Sequence, residues 1–256
     1  MEQAILEIDR ITKVYGTKLN PVRVLEDISF SIDQGEFVGI MGPSGAGKTT
    51  LLNLISTIDR PTTGKILINQ TDVTRMREKK LTTFRREQLG FIFQDFNLLE
   101  SLNVKDNILL PLALERIRYQ EMMERVTYVT KILGIEHLLD KAIVDISIGQ
   151  KQRVAAARAL ITQPKLILAD EPTGSLDSKS ATELLQYLTA VNQQEQATIL
   201  MVTHDAFTAS YCQRILFIKD GAIFSEIVRQ GTRKEFFQKI MDMQTAIGGG
   251  ISYDLY

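Results

Sequence analysis

The chain has 256 residues, 44% of them hydrophobic and 24% charged, which is ordinary globular usage and excludes a disordered or fibrous protein. At ~150 residues per domain this is one large domain or two small ones, long enough to bury a core without staples. Thirty Lys and Arg against thirty-one Asp and Glu give a formal net charge of −1, a near-balance that argues against a nucleic-acid-binding domain.

The single cysteine, Cys212, has no partner for an intrachain disulfide and points to a reducing compartment. Met1-Glu2-Gln3-Ala4 lacks the basic-then-apolar pattern of a signal peptide. No apolar run reaches the ~18–20 residues of a membrane-spanning helix. These features predict a soluble cytoplasmic protein unless a partner holds it elsewhere.

In chain order, Ile28, Phe30 and Ile32 alternate with Ser29 and Ser31, as in a half-buried strand. Asp33-Gln34-Gly35 is a turn, and Phe37-Val38-Gly39-Ile40-Met41 reads as a strand buried on both faces. A helix follows with Leu51, Leu54, Ile55 and Ile58 on one stripe, stopped by Pro61 and Gly64. Lys65-Ile66-Leu67-Ile68 starts another strand. From about 98 to 164 the spacing is helical, with Met122, Val126, Val129 and Leu133 on one face and Gly134 as a C-terminal stop. Strands return at Leu166–Ala169 and Thr198–Val202, with a helix between them carrying Ala181, Leu184, Leu185 and Leu188. Arg214–Ile218, Asp220-Gly221 and Ala222-Ile223 read as a closing hairpin. From Thr232 one amphipathic helix carries Phe236, Phe237, Ile240, Met243 and Ile247. Strands alternating with helices predict an α/β protein with a mainly parallel sheet.

Gly42-Pro43-Ser44-Gly45-Ala46-Gly47-Lys48-Thr49 fits the phosphate-loop pattern G-x-x-x-x-G-K-[ST], and it has the strand before and helix after that the pattern requires. The glycines let backbone N–H groups converge on phosphate oxygens, and the helix N-terminus adds partial positive charge. Lys48 is predicted to reach the β- and γ-phosphates and Thr49 to ligate Mg²⁺, with Thr50 beside it in the nucleotide site. The buried strand ending at Asp170 supplies the acid that orients water on the metal. Glu171 follows as a candidate general base for the attacking water.

With these motifs in place the chain resembles the ATP-binding subunit of ABC transporters, over about nine-tenths of its length. Phe93-Gln94-Asp95 looks like the Q-loop, and the resemblance implies that Gln94 meets the Mg²⁺ and the attacking water. Ser147-Ile148-Gly149-Gln150 looks like the signature motif, Ser175-Leu176-Asp177 like the D-loop, and Thr203-His204-Asp205 like the H-loop, whose His204 would reach the γ-phosphate. Tyr15 stands where an aromatic residue stacks on adenine. Ser147 with Gln150 three residues on is also a capping box, which predicts a helix through Arg153, Ala157 and Leu160. The resemblance implies that Ser147, Gly149, Gln150 and Asp177 face nucleotide held by a second copy, so that two subunits close on ATP. The family has glycine where Ile148 stands; a β-branched residue held at positive φ there would cost on the order of 1–2 kcal/mol.

The implied fold is a phosphate-loop NTPase: a mainly parallel core, an N-terminal antiparallel β subdomain and a helical subdomain inserted at about 96–164. The ATPase domain would span 1–230, with a C-terminal helix and tail at 231–256. Leu89–Leu99, Asn107–Leu112, Ala209–Cys212 and the tail Ile247-Gly248-Gly249-Gly250 with Tyr253-Asp254-Leu255 are similar to the bacitracin-export type of antimicrobial-peptide resistance transporter. The alternative is a macrolide-export or lipoprotein-release type. That resemblance implies ATP and Mg²⁺ as cofactors, a separate membrane permease served by two copies of this ATPase at the cytoplasmic face, and signalling through the permease to a sensor histidine kinase. Phe96, Leu98, Leu99, Ile108 and Leu110 are candidates for a groove that takes a permease helix. The basic stretch Arg75, Arg77, Lys79, Lys80, Arg85 and Arg86 reads as a solvated helix face, with proximity to anionic lipid headgroups as the sharper alternative.

Overall fold

The computed structural model describes residues 4–17, 19–114 and 117–248. Met1-Glu2-Gln3 and the tail residues Gly249-Gly250 and Tyr253-Asp254-Leu255 lie outside the described residues. Strands β1 (Ala4–Thr17), β2 (Asn20–Asp33), β4 (Thr63–Ile68) and β5 (Thr71–Asp72) form an antiparallel sheet in the order β2-β1-β4-β5. A second sheet of six strands has the order β10-β9-β3-β8-β7-β6. Its members are β3 (Phe37–Met41), β6 (Leu89–Ile92), β7 (Leu166–Asp170), β8 (Ile199–Val202), β9 (Arg214–Lys219) and β10 (Ala222–Val228). Five run parallel, and β10 folds back antiparallel on β9. The hairpin turn has Asp220 at φ 50° and Gly221 at φ 78°, the left-handed pair that a two-residue turn matching strand twist requires.

The interiors of the parallel strands are apolar because both faces are covered, and charged residues stand only at strand ends, as Asp170, Arg214 and Lys219 do. Phe37, Met41, Ile167, Ala169, Ile199 and Met201 enter one core cluster; Val38, Ile40, Leu166, Leu168, Leu200 and Val202 enter the other. The second cluster is shared with the antiparallel sheet and with α1 (Lys48–Ile55). The first is shared with α3 (Val104–Leu109), α4 (Tyr119–Ile132), α5 (Ile148–Leu160), α6 (Ser178–Glu195) and α8 (Arg233–Ile247). The remaining helices are α2 (Glu78–Gln88) and the short α7 (Ala206–Ala209). Between β6 and β7 the described residues form helices joined by turns and loops, with one isolated bridge between Asn103 and Ala142, and Gly134 stands at φ 63° just past α4.

Two local readings are corrected. Helix α1 ends at Ile55, before Pro61, because Ser56 caps it and Thr57 turns left-handed at φ 60°. Ile58 therefore lies beyond the stripe and is 60% exposed. Ile148 is the first residue of α5 and is not at positive φ, so the backbone penalty expected for a β-branched residue does not arise. The basic stretch follows the reading only in part: Arg75, Arg77, Lys79 and Lys80 are exposed before and on the first turn of α2, whereas Arg85 and Arg86 are half-buried, Arg85 donating to the Thr57 carbonyl at 2.8 Å and to Glu78. None of the described helices is long and apolar enough to cross a membrane.

Candidate active site

Sheet order brings the chemistry together. Strands β3, β8 and β7 are neighbours, so the loops leaving their C-terminal ends converge at one edge. The loop after β3 is the phosphate loop, that after β7 begins with Glu171, and that after β8 carries Thr203 and His204. They enclose an open cleft of ≈ 770 Å³ whose walls include Gly42, Pro43, Ser44, Gly45, Gly47, Lys48, Thr49, Thr50, Asp170, Glu171 and His204. Ala46 is buried directly behind the loop.

The cleft is built for an anion on one side. Gly47 caps α1 at φ 100°, and a Cβ there would sit 2.6 Å from Leu25 Cδ2, so only glycine fits. No side chain caps the helix, which leaves its first N–H groups facing the cleft. The Lys48 ammonium donates to the carbonyls of Gly42 (2.8 Å) and Pro43 (2.9 Å), bracing the loop across its own turn. Burial lowers the Lys48 pKa, while the charges of Glu171 and Asp170 hold it up.

The opposite side is built for a cation. Burial raises the Asp170 pKa, and the neighbouring Glu171 charge raises it further against the pull of Lys48. Asp170 and Glu171, whose carboxylates repel each other, and Thr49, which lines the same cleft, offer hard oxygen donors, and a divalent cation would relieve the repulsion. Mg²⁺ thus fits the residues present.

Glu171 itself is strained and tied. Its backbone is left-handed at φ 45°, a conformation that costs a non-glycine residue ~1–3 kcal/mol and clusters at functional sites. One carboxylate oxygen accepts from the His204 N–H at 3.0 Å and meets His204 Nδ1 at 2.7 Å; the other accepts from the Thr203 hydroxyl at 3.1 Å. The carboxylate and the imidazole are one hydrogen-bonded pair, with the ring 73% exposed to the cleft.

The remaining predicted residues lie off the cleft walls. Tyr15 is 40% exposed, its hydroxyl donates to Asp59 at 2.6 Å, and Lys13 sits 4.6 Å from its ring centroid. Gln94 is exposed and packs against Gly174, where a Cβ would lie 2.9 Å from its amide nitrogen. Ser147 and Gln150 form the predicted capping box, at 2.9 Å and 3.3 Å. Asp177 caps α6, accepting from the Ser180 N–H, the Ser180 hydroxyl and the Lys179 N–H, and these bonds, those from Ser180 first, hold its carboxyl below the usual range. Gly149 is required by packing: a Cβ there would meet Ser180 Oγ at 2.5 Å, so the N-termini of α5 and α6 touch.

Three residues escaped the sequence reading. Buried Gln152 on α5 donates to the carbonyls of Phe93 (3.1 Å) and Pro172 (2.8 Å), tying the Gln94 loop to the segment after Glu171. Arg158 donates to the carbonyls of Asn97 (2.5 Å) and Phe96 (2.8 Å), both left-handed residues of the same loop. Gln244 of α8 donates to the His204 carbonyl at 2.8 Å, and with Ile247 and Gly248 it lines the cleft. A second cavity of ≈ 570 Å³, walled in part by Val129, Ile132, Leu160 and Val191, contains none of the predicted site residues.

Fold and site together define a phosphate-loop nucleotide-binding ATPase. The ABC transporter family model matches residues 25–174. The chain is 51% identical to the ABC transporter ATP-binding protein YxdL of Bacillus subtilis, over 96% of its own length and 95% of that protein. It is also 51% identical to the bacitracin export ATP-binding protein BceA of Halalkalibacterium halodurans, over 96% and 98% of the two chains. Among solved structures it is similar to the dimeric post-hydrolysis state of the cassette MJ0796 of Methanocaldococcus jannaschii bound to ADP and Pi. There the TM-score is 0.79 at 36% identity, covering 89% of this chain and 100% of the other. The chain belongs to the ABC transporter family and is an ATP-hydrolysing subunit of it.

Proposed function

We propose that this ATPase drives an antimicrobial-peptide resistance transporter of the bacitracin-export type, docked on a separate membrane permease at its cytoplasmic face. The observation that carries this reading is the near full-length match to a bacitracin export ATP-binding protein. Exposed Leu99 and Leu110, with half-buried Phe96 and Leu98 beside them in sequence, suit the docking of a permease helix, whereas Ile108 is core.

In the proposed site the backbone N–H groups of Gly42 and of residues 44–50, with Pro43 shaping the turn, and the Lys48 ammonium bind the phosphates. Thr49, Asp170 and, after a shift of its loop, Gln94 would hold Mg²⁺. When bound, that ion supplies positive charge at the phosphate oxygens. Glu171 takes the proton of the attacking water, and His204 orients Glu171 and meets the terminal phosphate through its exposed ring. Tyr15 stacks on adenine. Ser147, Gly149, Gln150 and Asp177 serve the nucleotide of a second copy; their distance from this chain's own cleft supports that reading.

The test is co-expression with a permease of the bacitracin-export type in a bacitracin-sensitive host. Bacitracin tolerance is expected to rise several-fold with the wild-type chain and not with a Glu171→Gln variant. Tolerance to a macrolide with none to bacitracin would overturn the substrate assignment.

Closure of two copies makes a further prediction. Ile148 is 53% exposed at the N-terminus of α5, where the partner's phosphate would approach. Its backbone is unstrained, so only side-chain bulk opposes closure. Ile148→Gly is expected to tighten ATP-driven dimerisation of the Glu171→Gln protein and to raise wild-type turnover. The gain stays below the ~10²–10³ that one preorganised donor supplies, because Ser147 and Gly149 remain. Sedimentation and turnover at saturating ATP measure both effects. Indifference of both to the swap would place Ile148 clear of the interface.

A further inference from the structure

The buried stripe of α8 contains a polar interruption. Phe236, Ile240 and Ile247 are buried on one face, and Gln244 stands four residues after Ile240 on that same face. An apolar side chain would continue the stripe. The amide instead reaches across to the His204 carbonyl at 2.8 Å.

His204 needs such a hold. Its side chain is 73% exposed, so packing does not fix the ring. The residue is held by its hydrogen bonds: the N–H and Nδ1 to Glu171 on one side, the carbonyl to Gln244 on the other. Helix α8 is a firm base for this clamp. Thr232 and Glu235 form a capping box at its start. The Arg233 guanidinium sits 4.3 Å from the Tyr211 ring centroid and 5.3 Å from that of Phe207, both on the segment that follows His204. Phe236 and Ile240 are fully buried.

We propose that Gln244 is a positioning residue for the ATPase reaction, fixing the backbone of His204 and through it the aim of the His204–Glu171 pair. This rests on the role proposed above for His204. A donor placed on a backbone carbonyl can set the direction of a side chain without touching nucleotide. Misplacement by ~1 Å at a reacting centre can lower a rate by up to ~10²-fold. Because one clamp of three is removed, the loss expected here is smaller.

The experiment is a double-mutant cycle on the full-length chain, using Gln244→Met, which keeps length and helix propensity while removing the donor. Gln244→Met is expected to lower kcat by ~3–10-fold with KM for ATP unchanged and thermal stability no lower than wild type, as a misaimed group affects turnover rather than binding. In a His204→Ala background, read by single-turnover hydrolysis, it is expected to cause no further loss. An equal loss in both backgrounds, or a rise in KM with kcat intact, overturns the proposal and makes Gln244 a packing residue. Wild-type kcat in Gln244→Met alongside a crippled His204→Ala overturns the proposal while leaving the role of His204 standing. Wild-type turnover in His204→Ala removes that role first. Should Gln244→Met fail to fold, Gln244→Ala enters the same cycle with the same expectations.

Discussion

Glu171→Gln is expected to leave ATP binding intact and to lower turnover by ~10²–10⁴, the worth of a positioned general base. The replacement is nearly isosteric, so the left-handed backbone at φ 45° and the bond from the Glu171 N–H to the Val202 carbonyl are undisturbed. What is lost is the negative charge. That charge accepts from the His204 N–H and the Thr203 hydroxyl and pushes up the Asp170 pKa. Removing it takes repulsion away from incoming phosphates, so affinity for ATP is expected to hold or to tighten. Two copies that close on ATP then fail to reopen by hydrolysis, and an ATP-bound dimer should accumulate in sedimentation. Steady-state hydrolysis within a factor of a few of wild type would remove Glu171 from the role of base.

Lys48→Ala is expected to act one step earlier, on binding. In the cleft the ammonium spans the phosphate loop, donating to the Gly42 and Pro43 carbonyls. Bound phosphate would exchange these neutral acceptors for charged ones. Hydrogen bonds to charged groups contribute ~1.5–3 kcal/mol each, so losing two weakens binding by ~10²–10⁴ at ~1.4 kcal/mol per tenfold. The loop also loses its internal brace, which adds to the effect. Titration with a fluorescent ATP analogue measures it, and unchanged affinity would contradict the assignment of the loop.

Much of this molecule is legible along the chain because it is local. The phosphate loop, the Ser147–Gln150 capping box, the Asp220-Gly221 turn and the α8 stripe each depend on residues within one or two turns of one another. Where local pattern is interrupted, the reading weakens. Strand β1 holds Leu6 and Ile8 two apart and then Ile11 three further on, because Arg10 at φ 49° inserts a register shift against β2; alternation alone does not reveal it. Ile58 has helical spacing, yet the left-handed Thr57 takes it out of α1.

The sequence alone determined which groups the proposed site would use: a glycine-rich loop, its lysine, an acid pair at a strand end and a histidine. Tertiary structure decided which of them meet. Glu171 and His204 are paired because β7 and β8 are neighbours in the parallel sheet, and the phosphate loop joins them because β3 lies on the other side of β8. Gln244 faces His204 because α8 folds back over α7, and Gln152 links two loops because α5 packs beneath both. Such contacts have no signal in spacing. They arise when burial of two apolar sheet faces fixes the strand order, and that order is a property of the whole core rather than of any segment within it.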